Sequence, residues 1–189
     1  MNEHEVVTRL QAGDIDALQG LVAAHHVRAV RAAYLVTRDL GIAEEVVQAA
    51  WIRAYERIGQ FDAARPFAPW FLRLVMNHAR NTVERRDREV ALAEPFAAAA
   101  PGAEAAAETP EAVLEQAETA AEVWAALGTL PVAQRVAVVQ RYYLGLSEAE
   151  MATAQACPPT TVKWRLHAAR LRLRGLLRPI VVHEVERSS

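Results

Sequence analysis

Apolar residues recur along this chain at intervals of three and four positions, which places them on one face of an α-helix. No stretch alternates apolar and polar residues for long, so the pattern predicts no β-strand. Glycines, prolines and capping residues divide the pattern into segments of helical length. The chain is therefore predicted to be all-α.

The first half of the pattern predicts four helices. Gly13 ends the first helix, Asp14 or Asp16 caps the second, and Gly59 stops the third. The predicted bounds are about 3–12, 14–37, 42–58 and 67–87. The buried stripe of the third helix is predicted to be Val46, Val47, Ala50, Trp51, Ala54 and Ile58.

The middle of the chain has a different composition. Residues 89–110 are rich in Ala and Glu, are broken by prolines and contain few large apolar residues, which is typical of a flexible linker. Further helices are predicted at about 111–128, 131–144, 148–156 and 160–178. The predicted organisation is an N-terminal domain (1–88), the acidic linker (89–110), a C-terminal domain (111–180) and a tail (181–189).

Two features of the C-terminal domain predict a helix-turn-helix. Ser147-x-x-Glu150 is a capping box that opens a short helix. Cys157-Pro158-Pro159 forces a turn before a basic helix. A short helix, a tight turn and a basic helix form the layout of a DNA-binding helix-turn-helix.

Charge is distributed unevenly along the 189 residues, although the net charge is only −2. Residues 65–88 carry six Arg against two acids, and residues 151–178 carry one Lys and five Arg with no acid. Between these blocks, residues 89–134 carry eight Glu and no Lys or Arg. Two basic blocks separated by an acidic one indicate two binding sites for a polyanion.

The last helix sorts its residues onto distinct faces when they are placed at about 100° per residue. The core face is predicted to be Val162, Leu166, Ala169, Leu173, Leu176 and Leu177, and the opposite strip Trp164, His167, Ala168 and Leu171. Cations flank that strip on both sides: Lys163, Arg170, Arg174 and Arg178 on one, Arg165 and Arg172 on the other. This arrangement fits a helix in the major groove whose edges reach the phosphates. A solvated basic face is the alternative.

Two blocks of sequence resemble the extracytoplasmic-function (ECF) sigma factors of bacterial RNA polymerase. "LGTLPVAQRVAVVQRYYLGLSEAEMATAQACPPTTVKWRLHAARLRLRGLL" is similar to the family's promoter-reading C-terminal domain. "GIAEEVVQAAWIRAYERIGQFDAARPFAPWFLRLVMNHARN" is similar to its N-terminal domain. The resemblance implies an alternative sigma factor that directs core RNA polymerase to promoters.

The resemblance also implies partners and sites. The partners are the polymerase clamp and flap, promoter DNA as duplex and as single strand, and an anti-sigma factor; the linker would lie near the RNA path. The residues implied at the −35 element are Thr161, Lys163, Trp164, Arg165, His167, Ala168, Arg170 and Arg174. Those implied at the opened −10 region are Arg73, Asn77, Arg80 and Asn81, with the loop 60–69 completing a pocket for a flipped base. Those implied at the clamp are Glu44, Glu45 and Gln48.

Simpler interpretations stand beside these roles. Asn77 and Asn81 also fit ordinary solvated helix positions. Glu44 and Glu45 also fit the preference of a helix N-terminus for acids. Trp70, at the head of its helix, is interpreted as a core residue.

Three positions depart from the family pattern. Ala49 stands where an acid is common, Trp164 replaces a small residue, and Ala168 replaces a frequently basic one. Trp164 can pack on a thymine methyl or a sugar, but it cannot make the bidentate contact of Arg with guanine. We therefore do not predict that this chain recognises the family's usual −35 sequence.

Other function classes find little support in the sequence. His25 and His26 are adjacent rather than at metal-ligand spacing, and Cys157 lies beside prolines without a paired base, so no enzyme, metal site or cofactor is predicted. No apolar run has the length of a membrane span, and no signal peptide is recognised, so a cytoplasmic protein is expected. The second hypothesis is a helix-turn-helix regulator with a helical sensor domain that acts without binding core polymerase.

Overall fold

The computed structural model describes residues 3–92 and 120–187, and all the regular structure in these ranges is helical. The chain divides into two units, Met1–Leu92 and Ala93–Ser189. The all-α prediction and the prediction of two helical domains are confirmed. Most of the predicted linker, and the predicted start of the next helix near residue 111, lie outside the described residues.

The N-terminal unit contains four helices: α1 (Glu3–Gln11), α2 (Ala17–Thr37), α3 (Leu40–Arg57) and α4 (Phe67–Leu92). A 3-10 turn, Ile58–Gln60, follows α3. Gly13 ends the first helical segment with φ of +93°. Helix α4 continues to Leu92 instead of ending near residue 87, so the first positions of the predicted linker are helical.

The junction of α2 and α3 is tighter than predicted. Arg38 ends α2 in the left-handed conformation with φ of 61°, and its backbone N–H donates to the carbonyl of Tyr34. Asp39 then caps α3 by accepting from the backbone N–H of Ile42 at 3.0 Å. Helix α3 therefore begins at Leu40 rather than near residue 42.

Of the two residues predicted to cap α2, Asp16 does not do so. Asp16 precedes the helix in a helical conformation and makes no capping hydrogen bond with its side chain. The carboxylate of Asp14 instead accepts from the guanidinium of Arg9 at 2.6 Å and from the backbone N–H of Asp16 at 3.2 Å. Asp14 therefore fastens the end of α1 to the connecting turn.

The core of the N-terminal unit lies among α2, α3 and α4. The whole predicted stripe of α3 is buried. An aromatic cluster extends the core toward the loop before α4: the rings of Trp51 and Phe71 stack at 3.8 Å, and those of Phe61 and Trp70 lie 4.8 Å apart. Trp70 is half-buried within this cluster, as its interpretation as a core residue predicts.

The C-terminal unit also contains four helices in the described residues: α5 (120–128), α6 (Val132–Val138), α7 (Glu148–Gln155) and α8 (Pro159–Arg187). Helix α6 continues as a π-helical turn, Val139–Tyr143, where the sequence predicts plain α-helix. Helix α8 continues to Arg187, so the predicted tail is helical over most of its length.

The helix-turn-helix has its own small core, made of Ala137, Met151, Ala152, Val162 and Leu166. Ala169 is also buried, and Leu173 and Leu177 are half-buried, as the helical wheel predicts. Leu176 is 49% exposed, so its assignment to the core face is wrong. The wheel fails there because the partner helices cover only the first part of α8.

Candidate nucleic-acid interfaces

The capping box of α7 fixes the start of the helix-turn-helix. The hydroxyl of Ser147 accepts from the backbone N–H of Glu150 at 3.3 Å, and the backbone N–H of Ser147 donates to the Glu150 carboxylate at 2.8 Å. Both predicted halves of the box are therefore present. The hydroxyl of Ser147 also donates to the Glu150 carboxylate at 2.6 Å. This bond and the one from the backbone N–H of Ser147 hold the pKa of Glu150 below its ordinary value, because both favour the carboxylate.

The turn after α7 relies on a left-handed alanine. Ala156 has φ of 49°, and its backbone N–H donates to the carbonyls of Ala152 and Thr153. This geometry ends α7 and turns the chain into α8, which begins at Pro159.

Helix α8 presents an apolar strip to solvent. Trp164 is 64% exposed and Leu171 is 58% exposed. His167 is exposed on the same strip, and Ala168 is half-buried. No charged side chain lies within this strip, so its chemistry is that of van der Waals contact, with the imidazole of His167 and the indole N–H of Trp164 as its hydrogen-bonding groups.

Cations lie beside the strip, and two of them are oriented by neighbouring elements. Nζ of Lys163 lies 3.9 Å from the Glu148 carboxylate of α7. Nε of Arg170 donates to the hydroxyl of Tyr142, on the π turn, at 2.9 Å. Arg174 is exposed, and Thr161 is half-buried at the head of the helix.

Arg165 differs from the other cations because it is tied to the interior. Its Nη1 donates to Oε1 of Gln155, and it lies 3.8 Å from Sγ of Cys157. Nε2 of Gln155 in turn donates to Oε1 of Gln140 at 2.6 Å, and both glutamines are buried. This chain of hydrogen bonds joins the π turn, α7 and α8.

Gln140, Gln155 and Tyr142 were missed by the sequence analysis. Gln140 and Gln155 are separated from their partners by 10 or more positions, so helical periodicity carries no sign of the pairing. The one available signal was a pair of glutamines on helix faces that otherwise carry apolar residues.

In the N-terminal unit, α4 carries the second predicted interface. Arg73 and Asn81 are exposed, whereas Asn77 and Arg80 are half-buried. Nε of Arg80 lies 3.8 Å from the Glu84 carboxylate one turn later. The structure therefore places the four predicted residues along one side of α4, opposite the buried Leu72, Val75, Met76 and Ala79.

His78 lies next to this stripe on α4. Burial lowers its pKa, and the nearby positive charges of Arg53 and Arg85 lower it further. The imidazole is therefore neutral at pH 7, and the positive charge of this surface comes from arginines.

The predicted clamp residues lie on the solvent face of α3. Glu44, Glu45 and Gln48 are all exposed, and Ala49 is half-buried beside them. Two large apolar side chains that the sequence analysis did not select, Ile52 and Tyr55, are also exposed on this helix. The face thus combines two acids with an apolar patch.

Within the described ranges, no cluster of His, Cys, Asp or Glu is placed to hold a metal ion. Among the helices of those ranges, none has both the length and the apolar character of a bilayer span.

Two models of one protein family match the chain. Sigma-70 region 2 matches residues 21–89, which include α3 and most of α4. Sigma-70 region 4 matches residues 120–173, which include the whole helix-turn-helix up to the middle of α8.

Curated relatives are similar to this chain over nearly its full length. The RNA polymerase sigma-H factor of Pseudomonas aeruginosa is 29% identical, with 95% of each chain covered. The ECF RNA polymerase sigma-E factor of Escherichia coli K12 is 28% identical over 96% of this chain and 97% of its own.

Solved structures share the fold. CnrH, in complex with the cytosolic domain of CnrY, matches with a TM-score of 0.64 and 24% identity over 94% of this chain and 97% of its own. The sigma factor RpoE of Bartonella quintana, in complex with the anti-sigma factor NepR, matches with a TM-score of 0.69 and 21% identity over 87% of this chain and 98% of its own.

Proposed function

This chain belongs to the sigma-70 family as an ECF sigma factor that directs transcription initiation, and we propose that each of its helical units contacts one element of the promoter. The N-terminal domain, residues 1–88, binds the polymerase clamp and opens and reads the −10 region. The C-terminal domain, residues 111–180, contacts the polymerase flap and reads the −35 element as duplex. Residues 89–110 join them along the RNA path.

The exposed surface of α8 is the observation that carries the proposal for the −35 element. Its apolar strip faces away from the core, and the exposed Lys163, Arg170 and Arg174 beside it supply positive charge for the phosphates that border a groove. The residues proposed for the −35 element are Thr161, Lys163, Trp164, Arg165, His167, Ala168, Arg170 and Arg174. For Arg165 the role is indirect, because its guanidinium is bonded to Gln155.

The −10 contact is proposed for one side of α4. Exposed Arg73 supplies a cation for phosphate, while the half-buried Asn77 offers donors and an acceptor to the edge of an unstacked base. Arg80 and Asn81 extend the same side by one turn. The predicted loop 60–69, which in the structure runs from the end of the 3-10 turn into the first turn of α4, completes the pocket for a flipped base.

The clamp contact is proposed for the exposed face of α3. Glu44 and Glu45 supply negative charge, and Gln48 supplies an amide on the same face. The exposed Ile52 and Tyr55 add apolar area of the kind that protein interfaces bury. With its polymerase and chromosome as partners, the protein would act in the cytoplasm.

An anti-sigma factor is proposed as a further partner. Both solved relatives described above were captured in complexes, one of them with a named anti-sigma factor. Either basic surface of this chain, if covered by such a protein, would be unable to reach DNA.

Run-off transcription with purified core polymerase tests the proposal. Core polymerase plus this protein alone should initiate at a small set of promoters, and sequencing the transcripts should map their −10 and −35 elements. A helix-turn-helix regulator of the alternative kind would give transcripts only when a resident sigma factor is added. Failure of the protein to bind core polymerase would contradict the proposal.

A further inference from the structure

Helix α1 makes polar contacts with the loop that precedes α4. The side-chain amide of Gln11 donates from Nε2 to the backbone carbonyls of Ile58 at 2.8 Å and Phe61 at 2.7 Å. One side chain thus satisfies two acceptors on the inner side of the loop.

Glu3 connects the same helix to the start of α4. Its Oε2 accepts from the backbone N–H of Phe67, the first residue of α4, at 3.2 Å. Its Oε1 lies 2.7 Å from Nε2 of His25 on α2, which holds the carboxylate in place. Glu3 therefore serves as a cap for α4 that comes from a distant part of the sequence.

His4 contacts the loop between the positions that Gln11 and Glu3 contact. Its Nδ1 lies 2.8 Å from the carbonyl oxygen of Ala63, in the middle of the loop. Helix α1 itself is anchored by Val6, Val7 and Leu10, which are buried against the rest of the unit. A fixed helix thus contacts the loop near its beginning, middle and end.

The loop also has contacts of its own, since the ring of Phe61 is buried and lies against those of Phe67 and Trp70. Asp62 makes a local turn by accepting from the backbone N–H of Ala64, and it pairs with Arg65 at 3.4 Å. These contacts order the tip of the loop. At the start of the loop, the carbonyl of Ile58 accepts from the backbone N–H of Phe61 at 3.1 Å, and Gln11 of α1 donates to the carbonyls of both Ile58 and Phe61.

We propose that α1 is a template for the base-reading loop, and that Glu3 and Gln11 are positioning residues for the flipped −10 base. The inference rests on the proposed function, which places that base beside the loop 60–69. A pocket that must accept one unstacked base benefits from being formed beforehand, because its contacts depend on geometry to within a fraction of an ångström. Helix α1 precedes residue 21, where the match to sigma-70 region 2 begins.

The test measures base discrimination by the holoenzyme. The probe is the non-template −10 strand of a mapped promoter, either intact or with an abasic site at each position in turn. The scan with wild-type protein locates the base that contributes most to binding. Gln11→Ala and Glu3→Ala should each reduce the intact-to-abasic affinity ratio at that position by about tenfold. The ratio does not depend on the fraction of active protein, so partial unfolding cannot produce this result.

Matched controls exist for both variants. Glu5→Ala removes the same charge from the same turn of α1, but Glu5 is exposed. Gln19→Ala is the control for Gln11→Ala, because it makes the same substitution at an exposed position of α2. Both controls should keep the wild-type ratio. Glu3→Gln should restore most of it, because an amide oxygen also accepts from the backbone N–H of Phe67.

Three results would overturn the inference or its premise. If Gln11→Ala and Glu3→Ala keep the wild-type ratio, α1 does not position the loop. If Glu5→Ala lowers the ratio as much as Glu3→Ala does, the effect is one of charge alone and the inference also fails. If wild-type holoenzyme shows no discrimination at any position, the proposed −10 function fails, and the inference fails with it.

Discussion

At the scale of single residues, Trp164 is the member of the proposed −35 surface that most limits which DNA sequence this surface would bind. A large indole left 64% exposed at the centre of the α8 strip provides contact area but no acceptor for a base edge. Its neighbours Ala168 and Leu171 add methyl groups. In the major groove the complementary group is the C5 methyl of thymine.

Replacing thymine by uracil in the −35 duplex should therefore weaken binding. Each methyl that contacts the strip is expected to contribute about fourfold in affinity, the value of one buried methylene. Fluorescence anisotropy with duplexes substituted one position at a time measures this. The Trp164→Ala protein should bind more weakly and should no longer distinguish thymine from uracil at one of these positions. Equal affinity of the wild-type protein for all uracil duplexes would contradict the assignment.

Arg165 and Arg174 should behave differently when each is replaced by alanine. Arg165→Ala leaves the buried Gln155 short of a partner, so it should lower the midpoint of thermal unfolding. Exposed Arg174 is a phosphate contact in our proposal, and its loss should reduce the salt dependence of −35 binding by about one unit of slope without affecting the midpoint. If Arg165→Ala instead behaves like Arg174→Ala, Arg165 contacts phosphate directly.

Residue roles were predictable from the sequence where they depend on one helix face. The exposure of Trp164 and the burial of Val162 both follow from the periodicity of α8. The pairing of Arg165 with Gln155 does not, because it depends on how α8 packs against α7. Likewise, nothing near Glu3 in the sequence indicates that it caps a helix beginning at Phe67.

At the scale of helices, the capping box of α7 allows a direct test. Ser147→Ala removes the acceptor for the Glu150 N–H and a donor to its carboxylate, so the C-terminal unit should unfold about 4 °C lower. Thr153→Ala, which removes another exposed hydroxyl from the same helix, is the matched control and should not destabilise the unit. Circular dichroism melts measure both.

The effect of Ser147→Ala should depend on pH in a defined direction. The pKa of Glu150 is lowered in the folded protein, so the capping interaction with the carboxylate stabilises the fold above the unfolded pKa. This contribution is lost as the pH falls through the lowered pKa. The difference between wild type and variant should therefore shrink in acid; a constant difference would show that ionised Glu150 has no part in it.

Helix boundaries were predictable where the signal is local. Gly13, Ser147 and the prolines before α8 act on their immediate neighbours, and each marks a boundary that the structure shows. The π turn at Val139–Tyr143 left no comparable mark, because it lies in a segment that reads as continuous helix. Asp14 and Asp39 illustrate the same limit: both accept from a backbone N–H at the start of a helix, but Asp14 also bonds Arg9 at the end of α1, which the local sequence does not indicate.

At the scale of the whole molecule, the acidic linker provides a prediction about the transcription cycle. Deleting residues 96–108 should reduce run-off transcription more than it reduces binding to core polymerase, if the segment follows the RNA path as proposed. A double variant, Glu104→Gln with Glu108→Gln, keeps the length of the linker but removes two of its negative charges. It therefore separates the effect of linker charge from that of linker length. An equal loss of transcription and binding on deletion would show that the segment is only a spacer or is needed for folding.

Each unit contains its own buried core, the N-terminal one among α2, α3 and α4 and the C-terminal one around Met151 and Leu166. A substitution on the surface of α8 therefore need not be compensated by repacking around α4. If each unit reads one promoter element as proposed, the upstream and downstream promoter preferences can change separately during evolution. On the same premise, a chimera that joins one unit of this chain to the other unit of a related sigma factor should combine the upstream preference of one protein with the downstream preference of the other.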